Sequence, residues 1–102
     1  MHVEFSIKAL DHLKRIIDSH FEYCGELSAI KFSGQVDDKI RMLLRFPESG
    51  HPEPLLKDRK KFYRAKIINR RYKLIYYVDG EVIRISAVWD MRMNPARLVN
   101  MI

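Results

Sequence analysis

The chain has a single cysteine, Cys24, so no disulfide can close within it. That scarcity fits a reducing compartment, and the expected home is the cytoplasm. Cys24 has no activating constellation nearby and reads as a small core residue rather than a nucleophile. Glycine and proline are scarce too, at four each, and three of the prolines crowd into "PESGHPEP". That stretch is therefore a loop. No linker, repeat or low-complexity segment interrupts residues 1–102, which read as one domain. No run approaches the ~18 apolar residues that a membrane span needs. "MHVEFSIKAL" lacks a signal pattern, so no membrane association is expected. P-loop, dinucleotide, HExxH and EF-hand motifs are all missing, and no cofactor is expected. His2, His12, His20 and His51 stand at no metal-like spacing with Cys24, so no metal is expected either.

Hydrophobic residues make up 47% of the chain, enough for a core. The net charge is +6 and is unevenly spread. "KDRKKFYRAKIINRRYK", residues 57 to 73, holds nine of the nineteen basic residues and one acid, a net of +8 that leaves the remainder at −2. Clustered charge of this kind points to a polyanion or an acidic protein as partner, and the plainer reading is a solvated basic face.

Periodicity supplies the elements. "HVEF" reads as an edge strand. Ser6 is a candidate N-cap, and Leu10, Leu13, Ile17, Phe21 and Cys24 form one face of a helix that Gly25 stops. A second helix over residues 28 to 46 carries Ala29, Phe32, Val36, Ile40 and Leu43. Strands follow at about 62–68, 71–78 and 81–89, and a short helix begins near Pro95. The fold class is α+β: an N-terminal strand and a helical hairpin packed on one face of an antiparallel sheet, in the order β-α-α-β-β-β.

Two turns set an expected register. A two-residue Asp79-Gly80 turn puts Tyr76 opposite Ile83, Leu74 opposite Ile85 and Tyr72 opposite Ala87. A turn at Asn69-Arg70 puts Ala65 opposite Leu74 and Lys66 opposite Lys73. On this register Arg64, Lys66, Arg71, Lys73 and Arg84 share the face away from the core, with Tyr77 and Ile75 among them. Two lysines opposed are unfavourable for folding, a local conflict of the kind that marks a working surface.

The run "YRAKIINRRYKLIYYVDG" and the ending "VWDMRMNPARL" resemble the RelE/ParE superfamily of bacterial toxins from type II toxin–antitoxin (plasmid stabilisation) systems. The resemblance covers nearly the whole chain and is most specific over residues 71 to 98. It implies a growth-inhibiting toxin and a cognate antitoxin with an acidic or amphipathic disordered segment. RelE-like members cut messenger RNA on the ribosome. On that branch the resemblance carries over Arg64, Lys66, Lys73 and Arg92 as phosphate-binding residues, with Asp90 as the one acid that could serve as base. The plainer reading of Asp90 is an ion pair to Arg92. No tyrosine or histidine follows Trp89, whereas RelE-like enzymes stack an aromatic there. The ending is closer to ParE-like members, which implies inhibition of DNA gyrase without hydrolysis. A plain RNA-binding module is a third class. It would show several stacking aromatics on an open sheet face, where only Tyr77 stands here.

Overall fold

The computed structural model describes all of residues 1–102. Strand β1 (His2–Phe5) leads into helix α1 (Ile7–Cys24), and Gly25 alone separates it from α2 (Glu26–Arg45). Strand β2 (His51–Pro52) is followed by a 3-10 turn at Pro54–Leu56, by β3 (Arg64–Ile68), β4 (Tyr72–Asp79) and β5 (Val82–Asp90), and by α3 (Pro95–Met101). The fold class is α+β, as expected. The sheet runs β1-β5-β4-β3-β2 and is mixed, because β1 pairs parallel to β5 while the other pairs are antiparallel. The "PESGHPEP" loop contains β2, whose two residues pair with Arg64 and Ala65.

The helix boundaries have local causes. Ser6 is extended, and its Oγ accepts from the Ala9 backbone N–H at 3.0 Å, satisfying one free donor of the first turn. Glu26 opens α2 and Arg45 closes it, each charge complementing the helix dipole. Asn94 caps α3 through its side chain, with Pro95 at the first helical position. The α2 stripe is as the periodicity indicates: Ala29, Phe32, Val36 and Leu43 are buried and Ile40 packs against them. The α1 stripe is rotated. Ala9, Leu13, Ile16 and Ile17 face the core, while Leu10, Phe21 and Cys24 are exposed. The smaller Ala9 lets α1 approach the sheet closely, and Cys24 is thus not a core residue.

Both expected registers are overturned. In the β4–β5 hairpin Asp79 pairs with Val82, so the two turn residues are Gly80 and Glu81. Gly80 takes φ 58 at the first of these positions, the place a type II′ turn keeps for glycine. Tyr76 therefore faces Ile85 and Tyr77 faces Arg84. Farther along, Ile75 faces Ala87 and Leu74 faces Val88, because Ser86 is an extra residue that bulges out of β5. Asn69 and Arg70 adopt positive φ, and Ile68 pairs with Tyr72, which leaves a three-residue loop between β3 and β4. Lys66 thus lies opposite Leu74, and Arg64 opposite Tyr76.

This register gives the sheet two packed faces. Ile68, Tyr72, Leu74, Tyr76, Ile83, Ile85 and Val88 meet α1 and α2. Ala65, Ile75, Ala87 and Trp89 face the other way and are covered by Leu56 and by Leu98 of α3. At ~25 cal/mol per Å² of apolar surface, burying side chains of this size stabilises by about 1.5–3 kcal/mol each before entropy is subtracted. The second cluster fills the surface expected to be open and basic. Ile75, placed there as an exposed residue, is fully buried.

Candidate functional site

The basic residues singled out from the sequence fall in three places. Arg64 and Lys66 lie on the helix side of β3 and reach back to the loop before β2. Arg64 donates to the carbonyls of Glu48 (3.2 Å) and Gly50 (2.9 Å), with its guanidinium over the Phe62 ring at 4.7 Å. Lys66 donates to Ser49 Oγ at 3.1 Å, and burial together with the nearby Lys39 charge pushes its pKa down. These two cations tie a loop to the sheet edge.

Lys73 projects from the opposite face. Its ammonium contacts the Glu53 carboxylate, and Glu53 is only 2% exposed. Farther out on that face Tyr77 and Arg84 face one another across β4 and β5. Lys61 donates to the Tyr77 hydroxyl at 2.8 Å and sits 4.4 Å from its ring centroid. Arg84 donates to Asp79 at 2.9 Å and lies 3.6 Å from Glu4, so that part of the face is charge-compensated.

Arg71, in the β3–β4 loop, and Arg92, just after β5, stand at the other end of the strands. Here the chain forms a cavity of about 480 Å³ between α1, the ends of β4 and β5, and α3. Its walls include Ile16, Val88, Met93 and Met101, and its mouth carries Arg15, Arg71, Arg92 and Arg97 against a single carboxylate, Asp90. Asp90 is fully engaged with Arg92. Oδ1 accepts from the Arg92 backbone N–H (2.9 Å) and Nε (3.1 Å), and Oδ2 accepts from Nη2 (2.8 Å). That bidentate bond holds the Asp90 carboxyl below its usual range, so it is ionised and occupied at neutral pH. The ion pair is the geometry observed. Arg15 pairs along its helix with Asp11 at 3.0 Å. Arg71 stacks over Tyr72 at 5.4 Å, makes no ion pair, and its Nε is buried without a hydrogen-bond partner.

His12 lines the same cavity, and its Nδ1 accepts from the Val88 backbone N–H at 3.3 Å. Burial lowers its pKa, partly opposed by Asp11. His12, Arg15 and Arg97 were not among the residues expected from the sequence. The first two are visible there as part of a helix face, since His12, Arg15, Ile16 and Ser19 recur at steps of three, one and three. Arg97 gave no signal apart from its place in a short helix.

A third feature is apolar. Around the α1–α2 junction Phe21, Tyr23, Leu27 and Ile30 are exposed, Tyr23 to 78% and Leu27 to 83%. Four large exposed apolar side chains within ten residues are more than scattered single exposures.

Comparison with known proteins adds the family. Of the solved structures, one chain of the chromosomal ParDE TA system from P. aeruginosa superposes with a TM-score of 0.71 at 20% identity, covering 88% of this chain and 95% of that one. At that identity the likeness concerns the fold. Among functionally curated proteins none matches significantly. The family of the ParE toxin of the type II toxin–antitoxin system parDE matches residues 3–95. That span takes in both long helices, the Asp90–Arg92 turn and all of the sheet but His2, and the chain belongs to the ParE toxin family.

Proposed function

We propose that this ParE toxin arrests growth in the bacterial cytoplasm by binding a protein target, DNA gyrase, and is kept silent by a cognate antitoxin. One observation carries the choice of mode. The residues that an RNA-cutting reading would require to converge stand apart: Arg64 and Lys66 on the helix side of the sheet, Lys73 on the other. All three are also engaged within the chain, with loop carbonyls, Ser49 and Glu53. A nuclease needs cations and a base around one phosphate, and Asp90 is bound to Arg92 on both oxygens. A protein-binding toxin needs surface instead, and the exposed apolar residues at the α1–α2 junction supply it. The antitoxin segment expected there is disordered when free and folds on contact.

The test is expression of the chain without its antitoxin, followed by two assays on the purified protein. The expected outcome is growth arrest with filamentous cells, inhibition of supercoiling by gyrase, and intact messenger RNA on ribosomes. Codon-specific cleavage in the ribosomal A site would reverse the reading, and normal growth at high soluble expression would end it.

A further inference from the structure

The cavity between α1 and α3 has a chemistry unlike that of the exposed apolar residues at the α1–α2 junction. Its mouth carries four guanidinium groups and one carboxylate, and that carboxylate is already taken up by Arg92. Arg15 is partly compensated by Asp11. Arg71 and Arg97 have no carboxylate partner. The Arg71 Nε–H is buried without an acceptor, which leaves the Nη groups to face the cavity. Arginine's planar fork matches an oxyanion in two-point contact, which a lysine cannot do. Ile16, Met93 and Met101 add apolar surface to the same lining, and the volume of about 480 Å³ is that of a small-molecule site.

From this geometry we infer a binding site for a small phosphate monoester, its phosphate held between Arg71 and Arg97 and its apolar body lying against Ile16, Met93 and Met101. A dianion suits a rim that carries more than one uncompensated guanidinium, whereas a monocarboxylate would leave positive charge crowded there. The inference does not depend on the identity of the toxin's target. The cavity lies at the α3 end of the sheet and borders the α1–α2 junction through Ser19 and Tyr72, whose hydroxyl contacts His20 at 3.2 Å.

Trp89 lines the cavity and is the only tryptophan, so its fluorescence reports occupancy directly. Phenyl phosphate titrated into the full-length protein should change that emission saturably, with the same dissociation constant by calorimetry. Benzoate should bind at least about tenfold more weakly, since it offers one charge where the phosphate offers two. Arg71→Gln should weaken phenyl phosphate at least about tenfold, and Arg71→Lys should not restore it, because the charge returns without the fork. Arg97→Gln tests the same point from an exposed helix position where folding is not at stake, and Lys60→Gln, outside the cavity lining, should change nothing. No saturable response at millimolar phenyl phosphate would overturn the site. So would unchanged binding in both arginine variants, or binding confined to 5′-phosphorylated RNA oligomers with phenyl phosphate inert.

Discussion

The Lys73 ammonium and the Glu53 carboxylate form a buried ion pair that fastens the segment after β2 to the centre of the sheet. Lys73 arises from the middle strand and Glu53 from the loop before the 3-10 turn, whose Leu56 completes the second cluster. Removing one member leaves the other charge buried alone. Glu53→Gln or Lys73→Met should therefore destabilise the protein by about 3–5 kcal/mol in urea unfolding. A double replacement by apolar residues should recover most of that loss. Equal stability of the single and double variants would remove the pair from any structural role. Reversing the lysine charge, as in Lys73→Glu, unfolds the chain on this reasoning, so it says nothing about toxin activity.

Tyr76 should show a second kind of dependence. Its hydroxyl donates to the Pro47 carbonyl (2.8 Å) and accepts from the Gly50 N–H (2.9 Å), joining the loop to the core. Tyr76→Phe strands both groups and should cost about 1–3 kcal/mol. Gly50→Ala attacks the same joint by crowding, since a Cβ there would come within 2.5 Å of Tyr76 Oη and 2.8 Å of the Ala65 carbonyl. Its cost should be about 1–3 kcal/mol. The two changes share a contact, so the double variant should fall short of the sum. Additive losses in denaturant melts would show that they act separately.

Two histidines set an expected pH dependence. Burial first, then the Arg71 and Arg92 charges, lowers the His20 pKa from 6.5, and burial lowers that of His12. The unfolded chain takes up protons near 6.5 that the folded chain refuses. Stability is thus complete above that value and declines as pH falls through 6.5 toward the lowered values of the fold. The urea midpoint should drop between about pH 7.5 and about pH 5.5, and less so with His12→Gln and His20→Gln combined. An identical slope in that double variant would exclude these histidines as its source.

Binding of the proposed antitoxin should separate charge from apolar contact. Raising salt should slow association and leave dissociation nearly unchanged, because exposed charge acts on encounter. Leu27→Asp, at an 83% exposed position, should instead speed dissociation and spare the fold. Stopped-flow kinetics with the cognate antitoxin measures both rates. A salt-independent association rate would remove charge from the encounter, and unchanged dissociation by Leu27→Asp would move the contact elsewhere.

How much of this was legible in the sequence depends on the element. The α2 stripe was, because its apolar residues recur at steps of three and four. The α1 stripe was misjudged, since Leu10 and Phe21 outweigh Ala9 in any reading by size, while close packing selects the smaller residue. The faces of β4 were legible from its own alternation. Those of β3 and the end of β5 were not, because each rested on a turn. Asp79-Gly80 is the stronger turn pair by composition, whereas the chain turns at Gly80-Glu81, and nothing in "RISAVW" marks Ser86 as extra. For the site, Arg71 and Arg92 were named, but their union with Arg15 and Arg97 depends on how α1 and α3 meet, which no local pattern encodes.

A pleated strand is a parity code, with odd residues to one side and even to the other. Ser86 inverts that parity once. Before it Ile83 and Ile85 belong to the helices, and after it the odd residues Ala87 and Trp89 belong to the opposite layer. Without the inversion, Ala87 and Trp89 would press into α1 and Val88 would face α3. Residues 87 to 102 and the strand that precedes them are therefore two phrases in different metre, joined by one syllable. A graft of the C-terminal segment onto a relative would keep its sense only if that syllable travelled with it.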